Sequence, residues 1–551
     1  MTKEELIELV KKLRSKRKYG IFWEDDKIRE EFDTANSIPV LQELTELSIN
    51  TSTNQTNHIL IEGDNYPALS ILKSTHFSKI DFIYIDPPYN TGNKDFKYND
   101  AFVEKDDAYR HSKWLNFMNK RLEIAKDLLS ENGIIFVSIG DDEQANLKLL
   151  MDGIFGESNH IETFIWESIF RPSNLGKSVR RNSEYVLCYV KNRSDDFSLA
   201  QKSQEAQGEA SLTQNNNAPR TLTFPKNYVK VKLPDGTYKN GKYGDIEMLD
   251  DLVVKDGLAI KSFRISGKLK WKQEYLDSEV AKGVTLMIKT KSFIPYYRKD
   301  YQDTILRPTK LIPNDVVGDV LSANAEIKKI FGSSVFDYPK PTSLIKYLIS
   351  ICNLSENAVI LDYFAGSGTT GDAVLQLNTE DSKKMQFILI TNNENSICEE
   401  VTYKRIRSVI SGYTDSNNKE IEGKGENLRY LRIRELAKTN NSDEMKIRLS
   451  EQVVPFIQLQ ENAYEKIGPK GKNFNIYRSN ERIVAIHNSF DFEELVDLRD
   501  QLVKYKDLSI KLFLFSFDDE FVGTEMFSDF KYLQMEPIPS RILGILKDTY
   551  V

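Results

Sequence analysis

The sequence predicts an α/β fold: a doubly wound, mainly parallel sheet, interrupted by an inserted domain and followed by a small C-terminal α/β module. Three observations predict it. Short apolar runs alternate with helical stretches through residues 58–192 and again through 341–410, the rhythm of strands joined by covering helices. That rhythm breaks between the two stretches. And two turn-forming acidic motifs stand directly after apolar runs, at the strand ends where open α/β sheets bind ligands.

Residues 1–57 read as an N-terminal helical arm, with Leu6, Ile7, Leu9, Val10 and Leu13 near helical spacing, and then as a loop ending in the polar run 48–57. The first half of the sheet domain, 58–192, opens with the strand HILIEGDN (58–65) and the helix YPALSILK (66–73). A buried strand follows in KIDFIYIDPPYN (79–90), stopped by two prolines. Next come a helix over about 107–130, the strand GIIFVSIGDD (133–142), the helix NLKLLMDGIFG (146–156) and the strand EYVLCYVKN (184–192). Residues 193–335 read as the insert: a flexible loop over 194–219, then short strands and turns. The second half, 336–440, resumes with a helix from Thr342, the strand–turn–helix NAVILDYFAGSGTTGDAVLQL, the strand QFILITNNE and the helix ICEEVTYKRIRSVI. In 441–551 NFNIYRSNERIVAIHNSF predicts a strand pair, DFEELVDLRDQLVKY a helix and SIKLFLFSF a strand.

The composition excludes several classes. With 40% hydrophobic and 28% charged residues the chain has the profile of an ordinary soluble protein. No run of eighteen apolar residues and no apolar leader segment occur, so a cytoplasmic, non-membrane protein is expected. Cys188, Cys352 and Cys398 stand alone and the five histidines are scattered, so neither a disulfide scaffold nor a metal site is expected. The net charge is −7, yet Arg220 to Lys310 holds 19 Lys/Arg against 11 Asp/Glu. A local positive excess suits a phosphate-contacting surface, though charge alone fits a solvated face as well.

Asp86, Pro87, Pro88 and Tyr89 follow the strand IDFIYI. The prolines stiffen the chain and end the ladder, holding an acid and an aromatic at a cleft edge. That pair suits a flat substrate bearing an amine: the carboxylate accepts the amine hydrogen and the ring stacks on the base. Asp362-Tyr363-Phe364-Ala365-Gly366-Ser367-Gly368 follows the strand NAVIL. Its glycines allow a tight turn and close approach to a ligand, aimed at by the helix that begins near Thr369. Gly366, Gly368 and Gly371 also have dinucleotide-fold spacing, which keeps a Rossmann dehydrogenase as a competitor. Asp64 and Glu394 end two further strands; an acid there can bind ribose hydroxyls or an adenine amine, though taken singly each is more often a helix N-cap or a solvated turn.

Together DPPY and DYFAGSG resemble the catalytic and cofactor motifs of the S-adenosylmethionine-dependent DNA amino-methyltransferases. Their order, with the catalytic motif first and an insert between, resembles the permuted β class. KYGIFWE (18–24), LIEGDN (60–65), DPPYNTG (86–92), FVSIGDDEQANLKLLMDGIFG (136–156), FDYPKP (336–341) and TNNENSICEEVTYKRI (391–406) look like the modification subunit of type III restriction-modification systems. The likeness covers most of 18–435 and is weak in the insert and beyond about 440. One departure is Ser183, where the family pattern has a histidine before Glu184; it bears on local packing.

The resemblance implies transfer of a methyl group from S-adenosylmethionine to adenine N6 in double-stranded DNA. Asp86, with the Pro87 carbonyl, would accept the amine hydrogens, and Tyr89 would stack on a flipped-out base. Asp362, Phe364, Gly366 and Gly368 would hold the methionine end of the cofactor, Glu394 the ribose and Asp64 the adenine. Lys340 and Thr342 fall in the stretch that touches the cofactor carboxylate. The insert would be the target-recognition domain, with Arg264 or Arg298 able to reach guanine edges. The partners implied are a second copy of the chain, through the C-terminal module, and a separate restriction subunit. N4-cytosine or RNA methylation, a stand-alone methyltransferase and a catalytically idle DNA-binding subunit remain alternatives. Cytosine C5 chemistry has no candidate, because Leu187, Ile351 and Ile397 precede the cysteines where a proline is typical.

Overall fold

The computed structural model describes residues 37–52, 55–92, 96–98, 101–172, 178–202, 209–214, 217–299, 305–468, 473–479, 482–489, 491–516 and 524–538. The expected N-terminal helix and the KYGIFWE segment lie outside the described residues. The chain divides into two compact units: Ser198–Pro308, and everything on either side of it.

The flanking unit is built on one ten-stranded sheet. Its strands are β1 (Ser37–Glu43), β2 (Asn57–Glu62), β3 (Ile80–Ile85), β4 (Leu129–Ile139), β5 (His160–Trp166), β6 (Glu184–Val190), β7 (Leu311–Ile312), β8 (Val359–Asp362), β9 (Gln386–Thr391) and β10 (Asn427–Ala437). Their order across the sheet is β1-β10-β2-β9-β8-β3-β4-β6-β5-β7. From β10 to β4 all neighbours are parallel, and β1 and β6 run antiparallel to their inner neighbours. The central strands are Ile, Val, Leu and Phe runs buried on both faces, as a sheet covered by helices on each side requires. Those helices are α1 (Asn65–Thr75), α2 (Arg110–Leu128), α3 (Gln144–Phe155), α4 (Val320–Phe331), α5 (Thr342–Ser350), α6 (Thr369–Asp381) and α7 (Lys404–Ser411).

The topology places the ligand cleft. β8 leads through α6 to β9 on one side, and β3 leads through α2 to β4 on the other. The chain thus leaves two adjacent strands in opposite directions, and the crevice beyond their carboxyl ends is the switch point where such sheets bind ligands. β3 and β8 come from opposite sides of the insert, yet pair in register, Phe82 beside Ile360 and Ile83 beside Leu361.

Several elements differ from the sequence reading. Residues 37–43, read as loop, form the edge strand β1, where Pro39 is tolerated because only one side of the strand is paired. β5 and β10 carry too many polar residues to read as strands. In β10 the arginines find carboxylates: Arg432 pairs with Glu62 and Glu399 at 2.7 and 2.6 Å. The insert was expected over 193–335, but 309–335 belongs to the flanking unit, where β7 extends the sheet beside β5.

Among the described residues, the Ser198–Pro308 unit contains a seven-stranded, a four-stranded and a two-stranded sheet and one helix, Gln273–Ala281. Short strands at Gln201–Lys202 and Ala210–Ser211 replace part of the expected flexible loop. The C-terminal region forms a five-stranded sheet. In it Phe474–Ser479 pairs antiparallel with Arg482–His487, and helix Phe492–Leu502 leads to strand Ser509–Phe515. One face of this sheet joins the main core through Val484, Ile486 and Phe513. No helix among the described residues is long and apolar enough to cross a membrane.

Candidate active site

Asp86, Pro87, Pro88 and Tyr89 leave the end of β3, and Asp362 to Gly368 leave the end of β8, so the strand pairing brings both motifs to one crevice. The proline segment is anchored from behind. The indole of fully buried Trp114 donates to the Pro88 carbonyl at 2.7 Å. The Asn90 amide donates to Glu143 at 2.5 Å, and buried Glu143 also takes His111 and Asn146, at 2.6 and 2.7 Å. Gly140, just after β4, must lack a side chain, since a Cβ there would lie 2.9 Å from the Tyr89 ring.

Asp86 is the hub of a half-buried cluster. One oxygen takes the Lys340 ammonium at 2.6 Å and the other the Tyr89 hydroxyl at 2.9 Å. The same hydroxyl lies 2.8 Å from a Glu184 oxygen, which is 3.5 Å from Lys340 Nζ. Lys340 also sits over the Tyr89 ring, 5.2 Å from its centroid. Burial pushes the Asp86 carboxyl above the ordinary carboxylate range despite the pull of Lys340. Burial acts against the Lys340 charge, but Asp86 and Glu184 outweigh it, so the group remains an ammonium. Two acids and one ammonium share this pocket, and the phenol bridging the acids has one hydrogen to give.

The glycine-rich turn is held from within. Asp362 accepts from its own loop, the Phe364 amide at 3.0 Å and the Thr370 hydroxyl at 2.5 Å. Burial raises its carboxyl to about 7. Gly366 and Gly368 adopt left-handed φ of 49° and 79°, open to glycine at little cost. A π-helical turn over Ile397–Tyr403 brings the Thr402 hydroxyl to the Gly366 carbonyl at 2.6 Å.

The remaining expected residues are placed variously. Asp64 caps α1, accepting from the Tyr66 amide at 2.8 Å and from Arg121 at 3.4 Å. Glu394 lies beyond β9, each of its oxygens 3.0 Å from Lys97. Lys340, expected at a cofactor carboxylate, is on Asp86 instead. The Thr342 hydroxyl is likewise engaged, with Glu326 at 2.6 Å and Arg405 at 2.9 Å. In the insert Arg264 is gripped by both oxygens of Asp250, at 2.8 and 3.0 Å, and Arg298 ends the strand Pro295–Arg298. The aromatics Phe263, Trp271 and Phe293 belong to the insert's core.

Two residues at the site escaped the sequence reading. Glu184 reaches the crevice because β6 is antiparallel, so its first residue stands beside the carboxyl end of β4; the signal was an acid opening an apolar strand. Arg405, fully buried, ties the turn to its supports: Asp372 at 3.0 Å, Thr369 at 2.9 Å and Ser367 at 3.3 Å. In sequence it is one cation among several on a helix.

Residues 80–404 match the N6/N4 family described as DNA methylase, a span that includes both motifs and the insert. The chain is 32% identical over 395 residues to the type III restriction-modification enzyme StyLTI Mod subunit of Salmonella typhimurium, covering 65% of this chain and 56% of that protein. It is 32% identical over 409 residues to the type II methyltransferase M.KpnI of Klebsiella pneumoniae, covering 71% of this chain and 94% of the other. With the type III EcoPI Mod subunit of Escherichia phage P1 the identity is 28% over 415 residues, 66% of this chain and 63% of the relative. The chain therefore spans only part of the length of the Mod subunits that it matches. Two motifs joined at one switch point, inside a family match over more than half of the sequence, lead to one conclusion: the chain belongs to the N6/N4 DNA methylase family.

Proposed function

We propose that this chain transfers a methyl group from S-adenosylmethionine to the N6 amine of adenine in double-stranded DNA. The observation that carries the reading is the pairing of β3 with β8, which sets an amine-accepting carboxylate beside a glycine-rich cofactor turn. Asp86 accepts a hydrogen of the exocyclic amine, helped by the Pro87 carbonyl. That draws the nitrogen lone pair out of conjugation with the ring and aims it at the methyl carbon. Tyr89 offers its ring to the extruded base. After transfer the alkylated nitrogen sheds a proton, and the raised affinity of Asp86 for protons suits it to take that proton at a carboxylate oxygen. Most of the rate enhancement comes from alignment and fixed electrostatics.

The residues present fit the cofactor. Among the described residues Glu394 pairs only with a half-exposed Lys97 ammonium, a surface pairing that ribose hydroxyls can replace. Asp362, Phe364, Gly366 and Gly368 would border the methionine end, and Asp64, capping α1 nearby, the adenine. Bound S-adenosylmethionine supplies a methyl group made electrophilic by its cationic sulfur. Lys340 and Thr342 are engaged on side-chain partners and are assigned no cofactor contact.

The relatives named as type III Mod subunits support a role as the modification subunit of such a system; to this we add a cytoplasmic homodimer beside a separate restriction subunit. The Ser198–Pro308 unit, which holds most of the positively charged stretch Arg220 to Lys310, is the proposed target-recognition domain. A second reading, a stand-alone methyltransferase, is favoured by the match to 94% of M.KpnI. Long-read sequencing of DNA from cells producing the protein tests the proposal, since it reports modified base and motif together. N6-methyladenine at a defined motif supports the proposal, and N4-methylcytosine contradicts the adenine assignment. Light scattering of the active protein tests the dimer, and a fully active monomer would remove it.

A further inference from the structure

We propose that Lys340 is an internal stand-in for the target base, and that Glu184 is the carboxylate to which it retreats when the base enters. The inference rests on the assignment of Asp86 as the acceptor of the base amine, and deepens it.

The Lys340 ammonium makes the two contacts that an inserted adenine would need. It donates to Asp86 at 2.6 Å, as the exocyclic amine must, and it sits over the Tyr89 ring, 5.2 Å from the centroid, where a base would stack. Base and lysine cannot both be there. A neutral amine is also the weaker competitor, because a hydrogen bond from an ammonium to a carboxylate is the stronger of the two. An ammonium displaced inside a buried site without a partner would make the exchange prohibitive. Glu184 removes that obstacle. Its Oε2 is 3.5 Å from Lys340 Nζ, so it is a second anion beside Asp86 onto which the ammonium can swing as it leaves. The receiving carboxylate is fixed at the head of β6 and held by the Tyr89 hydroxyl at 2.8 Å. Lys340 is 8% exposed and hangs on a flexible four-carbon stem, so rotation about its side-chain torsions can carry the ammonium off Asp86 and onto Glu184. The charge of the cluster is the same before and after, and each acid keeps a hydrogen-bond donor throughout. Lys340 and Glu184 are thus positioning residues: they decide whether Asp86 is free for the base.

The test is a double-mutant cycle on the full chain. The probe is a duplex carrying the motif found by sequencing, with 2-aminopurine beside the target adenine so that the adenine keeps its amine. Fluorescence reports departure of the adenine from the stack, without any methyl transfer. Lys340→Met is expected to raise the extrahelical signal. Glu184→Gln, which leaves the ammonium no second anion, is expected to lower it and to slow single-turnover methylation by ~10-fold or more. Glu184→Asp, which keeps the charge but shortens the arm by one methylene, is expected to fall between wild type and Glu184→Gln. The decisive species is the double variant Lys340→Met/Glu184→Gln. With no ammonium to park, loss of Glu184 ceases to matter, and the signal returns to that of Lys340→Met. If the double variant is as impaired as Glu184→Gln, Glu184 is only a packing residue and the proposal falls. If wild type methylates the duplex with no extrahelical signal, the placement of the base at Asp86 fails instead, which is a different outcome.

Discussion

Replacing Arg405 by alanine tests whether the cofactor turn is held by one buried cation. Arg405 is fully buried and contacts five side chains: Asp372, Ser367, Thr369, Thr342 and, at 3.4 Å, Glu326. Asp372 is 6% exposed and would keep its charge with no cation beside it. Removing one partner of a buried pair costs about 3–5 kcal/mol. Glu326 is a third exposed and contributes little to that figure. The turn also loses its bonds at Ser367 and Thr369, worth about 1 kcal/mol each, so cofactor affinity should fall by roughly 10- to 30-fold. Urea unfolding followed by tryptophan fluorescence reads the stability, since Trp114 and Trp166 are fully buried in this unit. Calorimetry reads the affinity. A neutralised companion, Arg405→Met with Asp372→Asn and Glu326→Gln, should recover most of the stability, because no charge is then stranded. A loss below about 1 kcal/mol in the single variant, or no recovery in the companion, would refute the reasoning.

Three further outcomes are expected. Gly366→Val should lower cofactor affinity by ~10-fold or more, since a β-branched residue at φ 49° is strained and its Cβ would lie 3.3 Å from Phe336; calorimetry on a folded variant with unchanged affinity would contradict this. Asp362, raised by burial from 3.8 to about 7, favours folding while protonated. Its contribution is complete below pH 4 and lost as pH rises toward 7, a fall of about 4 kcal/mol. Asp362→Asn should flatten that part of the stability profile, and parallel profiles would exclude the effect. Exchange of Ser198–Pro308 for the matching unit of a relative with another motif should transfer the motif; a folded chimera that still methylates the original sequence would place specificity elsewhere.

The central strands and both motifs were legible in the sequence because their cause is local. IDFIYI and NAVIL are apolar over a strand's length, and Pro87, Pro88, Gly366 and Gly368 stop them in ways the residues themselves dictate. What escaped depends on partners distant in the chain. β10 carries arginines that make sense only beside Glu62 and Glu399. Glu184 enters the site only because β6 runs against β4, and no residue of EYVLCYV encodes strand direction. Lys340 was read as a cofactor contact from its motif, whereas the fold carries it onto Asp86. Asp64 could equally have been a ligand or a cap, and it does cap α1. The basic, aromatic stretches of the insert looked like a nucleic-acid surface, yet Phe263, Trp271 and Phe293 fill its core and Arg264 is held by Asp250.

The central claim is that Asp86 serves the transfer of a methyl group to the adenine amine. The most direct test is nucleoside mass spectrometry of DNA from cells producing either wild type or Asp86→Ala, with calorimetry of cofactor binding on both proteins. The account predicts N6-methyladenine with wild type and none with Asp86→Ala, while cofactor affinity stays within about tenfold because Asp86 acts on the base. N4-methylcytosine in place of N6-methyladenine, or N6-methyladenine persisting in the variant, would contradict it.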